Sequence, residues 1–449
     1  MASTYLLLSL LMFFISFGCS CVPEQNPTPD PLKAHRSRIR EKTRFKGFYW
    51  LEHGLERSIM RNIRKEEREE PPLRTERVVN VDSYGAIGDG ITDDTEAFAK
   101  AWNEACSSSF PQAVLLVPED RKYLLRPIAF NGACVSHITV LIKGTLIASS
   151  NRSLWDDGNV RHWILFDGVR NLVVKGGGTI SGNGQIWWRN SCKINKTLPC
   201  TGAPTAMTFS SCRDLKVENL RFKDSQKAHV SFEGCTNVAV SKLLISAPGN
   251  SPNTDGIHVA ETKNMIITEC VIRTGDDCIS IVSGSRNVKG MNIVCGPGHG
   301  ISIGSLGANN TVASVRNVVI DRVKMRDTMN GVRIKSWQGG RGYARGIIFQ
   351  NIAMRDVENP IIIDQNYCDS PHPCPQQAEA VGVSRVLYKN IKGVSASQVA
   401  VNLNCSEAVP CESIMLHNVE LVGEDGKRTQ SVCNHVNWTG TGHIVPSCP

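Results

Sequence analysis

Beyond its first twenty residues, this chain has no apolar run long enough to cross a bilayer, for which about 20 residues are needed, so a soluble mature protein is expected. It has no CxxC pair accompanied by histidine, which makes metal binding the weaker reading of its 17 cysteines. The run Gly176-Gly-Gly178 lacks the Lys-Ser/Thr of a phosphate loop and reads as a bend. A large charge excess is also missing. The formal +8 is modest for 449 residues, and the basic residues that stand out are local, with seven in 33–46 against the single acid Glu41. Such a patch attracts polyanions, which outside a cell are acidic polysaccharides rather than nucleic acid. Its plainer reading is a solvated or removable pro-segment.

What is present points outside the cell. Residues 1–20 hold an apolar run ending in small residues, as in a secretory signal peptide, although without the usual basic start. Residues 21–77 are proline-rich at both ends and charged between, an arm, linker or propeptide with room for a short helix at 49–63. In an oxidising compartment, cysteines close in sequence suggest local bridges. The expected pairs are Cys278 with Cys295, Cys368 with Cys374, Cys405 with Cys411 and Cys433 with Cys448, then Cys106 with Cys134 and Cys192 with Cys200. Cys212, Cys235 and Cys270 read as small buried residues. Glycosylation sequons stand at Asn151, Asn195, Asn309, Asn404 and Asn437.

From residue 78 onward one phrase repeats. Asn253-Thr-Asp255-Gly, Gly275-Asp276-Asp277-Cys and Gly298-His299-Gly300 each precede an alternating apolar segment, as does Asn330 before Gly331-Val-Arg333-Ile-Lys335. Asp255, Asp277, His299 and Asn330 follow one another at intervals of 22, 22 and 31 residues, close to the periods of solenoids that stack one unit per coil. Strands of successive coils then pair about 4.8 Å apart, so these residues form a column. A second phrase, a polar pair before an apolar residue, recurs at Asn171, Asp214, Asn237, Asn264, Asn287 and Asn317 and marks the turn into a strand. Ahead of the coils, Asp93 with Glu96 signals a helix start before Ala97, Phe98, Ala101, Trp102 and Ala105. That helix would cap the open end of the solenoid, and it outweighs a metal loop built from Asp89, Asp93 and Asp94.

The column carries chemistry. Asp255, Asp276 and Asp277 on adjacent coils cannot all stay ionised comfortably, so one is expected to keep a proton beside an ionised neighbour. Hydrolysis of a glycosidic bond uses that pairing. His299 on the next coil is placed to donate to a carboxylate. Arg333 and Lys335, two apart in a strand, share a face while Val332 and Ile334 point inward, and two cations there suit a sugar acid. The alternative is an ion pair that offsets the aspartates.

These four motifs in this order resemble those of plant-type polygalacturonases, glycoside hydrolase family 28, and the resemblance covers 78–448. It implies an all-β fold, a single-stranded right-handed parallel β-helix (β-solenoid) behind the capping helix, and a catalytic domain over 78–449. It also implies hydrolysis of the α-1,4-galacturonosidic bonds of pectin with inversion. Asp276 would be the general acid, Asp255 and Asp277 would activate water, and His299 would support the acid. Arg333 and Lys335 would bind galacturonate carboxylates, joined by Asn253 and Tyr367. No metal or organic cofactor is implied, and a secreted monomer in the cell wall is expected. Spacing alone leaves open whether the carboxylates sit at the separation of inverting or of retaining enzymes, about 5 to 5.5 Å for the latter. A calcium-dependent pectate lyase and an inactive wall-binding β-helix remain as alternatives.

Overall fold

The computed structural model describes residues 76–155, 161–369 and 374–449. The apolar start, the basic cluster and the 49–63 helix expectation therefore lie outside the described residues, as does nearly all of the 21–77 arm.

Short alternating strands separated by turns bury an apolar side only by stacking on the next coil. The result is a right-handed parallel β-helix with three faces, in which every ladder between the described strands is parallel. On the first face Ile164, Met207, Val230, Ile257, Ile279, Ile301, Val332, Ile361 and Val401 stack in register. All are buried, and each such side chain stabilises the fold by about 1.5–3 kcal/mol relative to exposure. Leu215, Val238, Met265, Val288 and Val318 do the same on the second face. Phe222, Ile245, Ile272, Cys295 and Met325 do so on the third. Phe166, Phe209 and Phe232 stack at 5.2 Å between centroids along the interior.

The turn phrase turns out to be a ladder. Asn237 donates to Asp214, Asn264 to Asn237, Asn287 to Asn264 and Asn317 to Asn287, at 2.7–3.1 Å. Each of these residues has a φ between 54° and 59°, the left-handed region that asparagine and aspartate tolerate best. One side chain therefore both makes the bend and ties it to the coil below.

The expected cap is present with its start displaced. The helix Thr95–Ser107 buries Ala97, Phe98, Ala101, Trp102 and Ala105 and packs against Glu76–Asn80, Gln112–Val117 and Ile128–Asn131. Its N-cap is Asp94, not Asp93. The Asp94 carboxylate accepts the backbone N–H groups of Ile87 and Gly88, while Asp93 accepts from Thr95 and pairs with Arg126. Glu96 pairs with Lys100 instead of closing a capping box. Asp89 holds its own turn through Ile91 and Thr92.

The cysteines pair as their spacing suggests. Cys278 is bridged to Cys295, Cys368 to Cys374, Cys405 to Cys411 and Cys433 to Cys448. Cys106 is bridged to Cys134 and Cys192 to Cys200, while Cys212, Cys235 and Cys270 are free and buried. Cys411 opens the strand Cys411–Gly423, and Cys448 is buried near the carboxyl terminus, so the last two bridges staple the closing coils. Four sequon asparagines are exposed, whereas Asn404 is half-buried and accepts from Asn434.

Candidate functional site

Register places the column as spacing predicts. Ile257 pairs Ile279, Ile279 pairs Ile301 and Ile301 pairs Val332, so Asp255, Asp277, His299 and Asn330 each precede equivalent residues by two. Local backbone fixes the motif: a Cβ at Gly275 would lie 2.1 Å from the Ser251 carbonyl oxygen, and one at Gly300 2.1 Å from that of Asn330. Only glycine lets the coils approach this closely around Asp276 and His299. The Cys278–Cys295 bridge then ties the segment after Asp276-Asp277 to the end of strand Arg286–Cys295. A crosslink closing a loop of that size restricts the unfolded chain by about 3 kcal/mol.

Asp276, Asp277 and His299 form the tight centre, with one ligating atom from each within 4.8 Å of the others. The Asp276 Oδ1 accepts from His299 Nδ1 at 3.0 Å and from the Asp277 N–H at 2.8 Å. Its Oδ2 takes a longer contact of 3.4 Å from Asn253, which leaves that oxygen the more open to a ligand. Burial opposes the Asp276 charge, but the hydrogen bond and charge of His299, then the Asp277 N–H, outweigh it and hold the carboxyl below the usual range. His299 moves the other way, raised by its hydrogen bond to Asp276 against the effect of burial. Both shifts favour the charged pair, an ionised Asp276 beside a protonated His299.

This pairing has a pH signature. A raised His299 stabilises the fold fully below its unfolded value of about 6.5, and that contribution is lost as pH rises through the folded value. A lowered Asp276 contributes above about 3.9 and loses its contribution as pH falls through the folded value. Raising pH from about 6 to about 9 should therefore lower the thermal midpoint of the native protein more than that of His299→Gln. Parallel curves for the two proteins would remove the proton from this pair.

Asp277 is buried and receives three donors: Ser302 Oγ at 2.7 Å, Arg333 Nη2 at 3.0 Å and Lys335 Nζ at 3.1 Å. Burial holds its carboxyl above the usual range against the opposing pull of Lys335 and Arg333, with Asp255 and Asp276 adding to the rise. The two cations thus occupy the ion pair that the sequence left as an alternative. Arg333 also donates Nε to Ser302, leaving Nη1 without a partner among the described residues. The Lys335 Nζ lies 5.4 Å from the Tyr367 ring centre, and burial, then Asp369, pushes the Tyr367 phenol up to about 12.

Asp255 stands apart from the tight centre. Its Oδ2 accepts from Ser280 Oγ at 2.6 Å, and Ser280 in turn meets His258 Nδ1 at 2.7 Å. Since the serine proton goes to the carboxylate, the imidazole donates from Nδ1. Sequence reasoning passed over His258, Ser280 and Ser302. The signal was available: they occupy the position of Arg333 in Gly256-Ile-His258-Val, Cys278-Ile-Ser280-Ile and Gly300-Ile-Ser302-Ile, and they stack in register. Nothing local revealed that Lys193, in a loop closed by Cys192–Cys200, pairs with Asp369 beside Cys368–Cys374.

A model of glycosyl hydrolases family 28 matches residues 106–445. The chain is 55% identical over 372 residues to Polygalacturonase-2 of Solanum lycopersicum, covering 83% of this chain and 81% of that protein. It is 52% identical over 383 residues to a polygalacturonase of Persea americana, covering 85% and 82%. Among solved structures, an exopolygalacturonase from Thermotoga maritima shares the fold with a TM-score of 0.68 at 22% identity, covering 85% of this chain and 95% of that one.

Proposed function

The chain belongs to glycosyl hydrolases family 28, and from that premise we propose that it hydrolyses the α-1,4-galacturonosidic bonds of pectin by an inverting mechanism. It is a glycoside hydrolase, and its plant relatives are polygalacturonases. The observation that carries the reading is the Asp276 carboxyl, tied to a protonated His299 on one oxygen and open on the other, beside a carboxylate flanked by two cations. Asp276 gives the leaving glycosidic oxygen a proton from its open Oδ2, while His299 keeps its Nδ1–H on Oδ1 and steadies the carboxylate that forms. Asp255 and Asp277 orient a water and take its proton as it attacks the anomeric carbon from the opposite face. Arg333, through its free Nη1, and Lys335 receive the carboxylate of the sugar at the bond, while Asn253 and Tyr367 line its approach. The guanidinium of Arg333 and the ammonium of Lys335 stand where a calcium-dependent lyase would need a cation bound to Asp277.

Residues 78–449 form the catalytic unit in this reading, behind a leader and a charged arm. The six disulfides support work in an oxidising compartment outside the cell. Glycosylation fits Asn151, Asn195, Asn309 and Asn437 better than the half-buried Asn404.

The test is incubation with polygalacturonate, following new reducing ends and the anomer formed first. The β-anomer without unsaturated products is expected. Unsaturated products suppressed by chelator would convert the reading to a lyase, and an initial α-anomer would overturn inversion.

A further inference from the structure

The turn phrase has two letters, and the fold accounts for one of them. Its asparagine or aspartate makes the bend and ties it to the next coil, but nothing in that turn asks for the basic residue before it. Arg170, Arg213, Lys263, Arg286 and Arg316 hold that place, with Thr236 in the coil between Arg213 and Lys263. Register stacks them: Arg170 pairs Arg213, Arg213 pairs Thr236, Thr236 pairs Lys263, Lys263 pairs Arg286 and Arg286 pairs Arg316. Arg345 follows Arg316 but is already committed to the Tyr343 ring, 4.1 Å from its centre. Beyond it the row ends in Ser384 and Glu412.

Taken alone, the row works against the fold. Like charges directly opposite one another on neighbouring strands are destabilising, and here they follow at about 4.8 Å per coil. Arg170, Arg213, Lys263 and Arg286 are exposed and Arg316 is half-buried. None of the five side chains has an ion pair or hydrogen bond among the described residues. Asp214, the one carboxylate among the turn residues, accepts from Asn237 instead of pairing with Arg213. The row is also separate from the catalytic column. Asp255 precedes strand Ile257–Ala260 and Lys263 follows it, so the whole length of that strand, roughly 13 Å, lies between them. No member of the row lines the groove that opens beside Asp255 and His258. From Arg170 to Arg316 the row runs roughly 24 Å along the coil axis, with close to one linked sugar per coil.

We propose that this row is a second polysaccharide-binding surface, outside the catalytic face. An extended run of galacturonan lies along it with its carboxylates on successive cations, and holds the enzyme on its polymer between cuts. Each exposed pair is weak, but a rigid stack presents several at once, so the run is held by their number. The polyanion also removes the repulsion that the fold leaves uncompensated. Nucleic acid has the same sign of charge but is the wrong occupant for a chain stapled by six disulfides, which belong to an oxidising compartment. The choice of a sugar acid rests on the polygalacturonase reading.

The test compares the triple variant Arg213→Gln/Lys263→Gln/Arg286→Gln with the native row, both carried on Asp276→Asn so that the polymer is not consumed. Retention on immobilised polygalacturonate is measured with galacturonate trimer added, which fills the catalytic site but spans too few cations to compete for the row. The native row should stay bound at low salt and release as salt rises, and the triple variant should bind about tenfold more weakly. With Asp276 restored, kcat and KM on short soluble oligomers should match those of the native protein, while turnover of immobilised polymer falls. The melting temperature should hold or rise, because the substitutions remove stacked like charges. Equal retention of the two rows overturns the proposal. So does a raised KM on short oligomers, which would place the row in the catalytic site. Weaker retention on single-stranded DNA with retention on polygalacturonate unchanged overturns the choice of occupant. If the native protein cleaves no galacturonan at all, the functional reading fails instead, and retention, which needs no cleavage, still decides the row.

Discussion

Asp276→Asn is expected to lower kcat on polygalacturonate by about 10²- to 10⁴-fold, the usual worth of a positioned general acid, while the protein stays folded. Asparagine keeps the shape of the side chain, and its Oδ1 still accepts from His299 Nδ1 and the Asp277 N–H. What disappears is the carboxyl proton at the open Oδ2, because an amide has none acidic enough to give. Because asparagine cannot pull the imidazole upward, the stability contribution of His299 at mildly acidic pH shrinks as well. Reducing-end assays at several pH values, paired with melting curves, check both halves. Near-normal turnover would assign the acid elsewhere, and Asp277, buried beneath Arg333 and Lys335, would be the remaining carboxyl whose pKa burial raises.

Much of this centre was legible because a solenoid converts sequence interval into adjacency. Once the strands after Asp255, Asp277 and His299 share one pattern, register follows, and the turn asparagines at 237, 264, 287 and 317 mark the same period independently. Direction was harder. Spacing put Asp255 in the acid cluster, yet its carboxylate is held by Ser280, which in turn meets His258. The expectation that crowding raises one carboxyl fits Asp277, where burial leads and Asp255 and Asp276 add, whereas the hydrogen bond that lowers Asp276 and raises His299 could not be read from proximity. The groove of about 580 Å³ beside Asp255 and His258 was the least legible feature. Arg161 and Lys227 belong to no repeated phrase, and they line it together only because their segments leave the same face of different coils.

In sequence, Arg333 and Lys335 suit a sugar acid or an ion pair with the aspartates, and their burial against Asp277 ties the two roles together. Lys335→Met should cost about 3 kcal/mol of folding free energy, the low end for opening a buried ion pair, because Asp277 would keep its charge with Arg333 as its only remaining cation. It should also raise KM and depress kcat, since the same ammonium neutralises Asp277 and faces the sugar acid. The double variant Asp277→Asn/Lys335→Met distinguishes these roles. Losing one charge of each sign restores balance, the new amide still accepts from Arg333 and Ser302, and most of the lost stability should return. Activity should not return, because the carboxylate that helps activate water is gone. Denaturant unfolding and polygalacturonate turnover on the single and double variants supply the cycle. Recovery of both would make the Asp277–Lys335 pair purely structural. Recovery of neither would mean that Lys335 acts through contacts other than Asp277, with the Tyr367 ring 5.4 Å away as the first to examine.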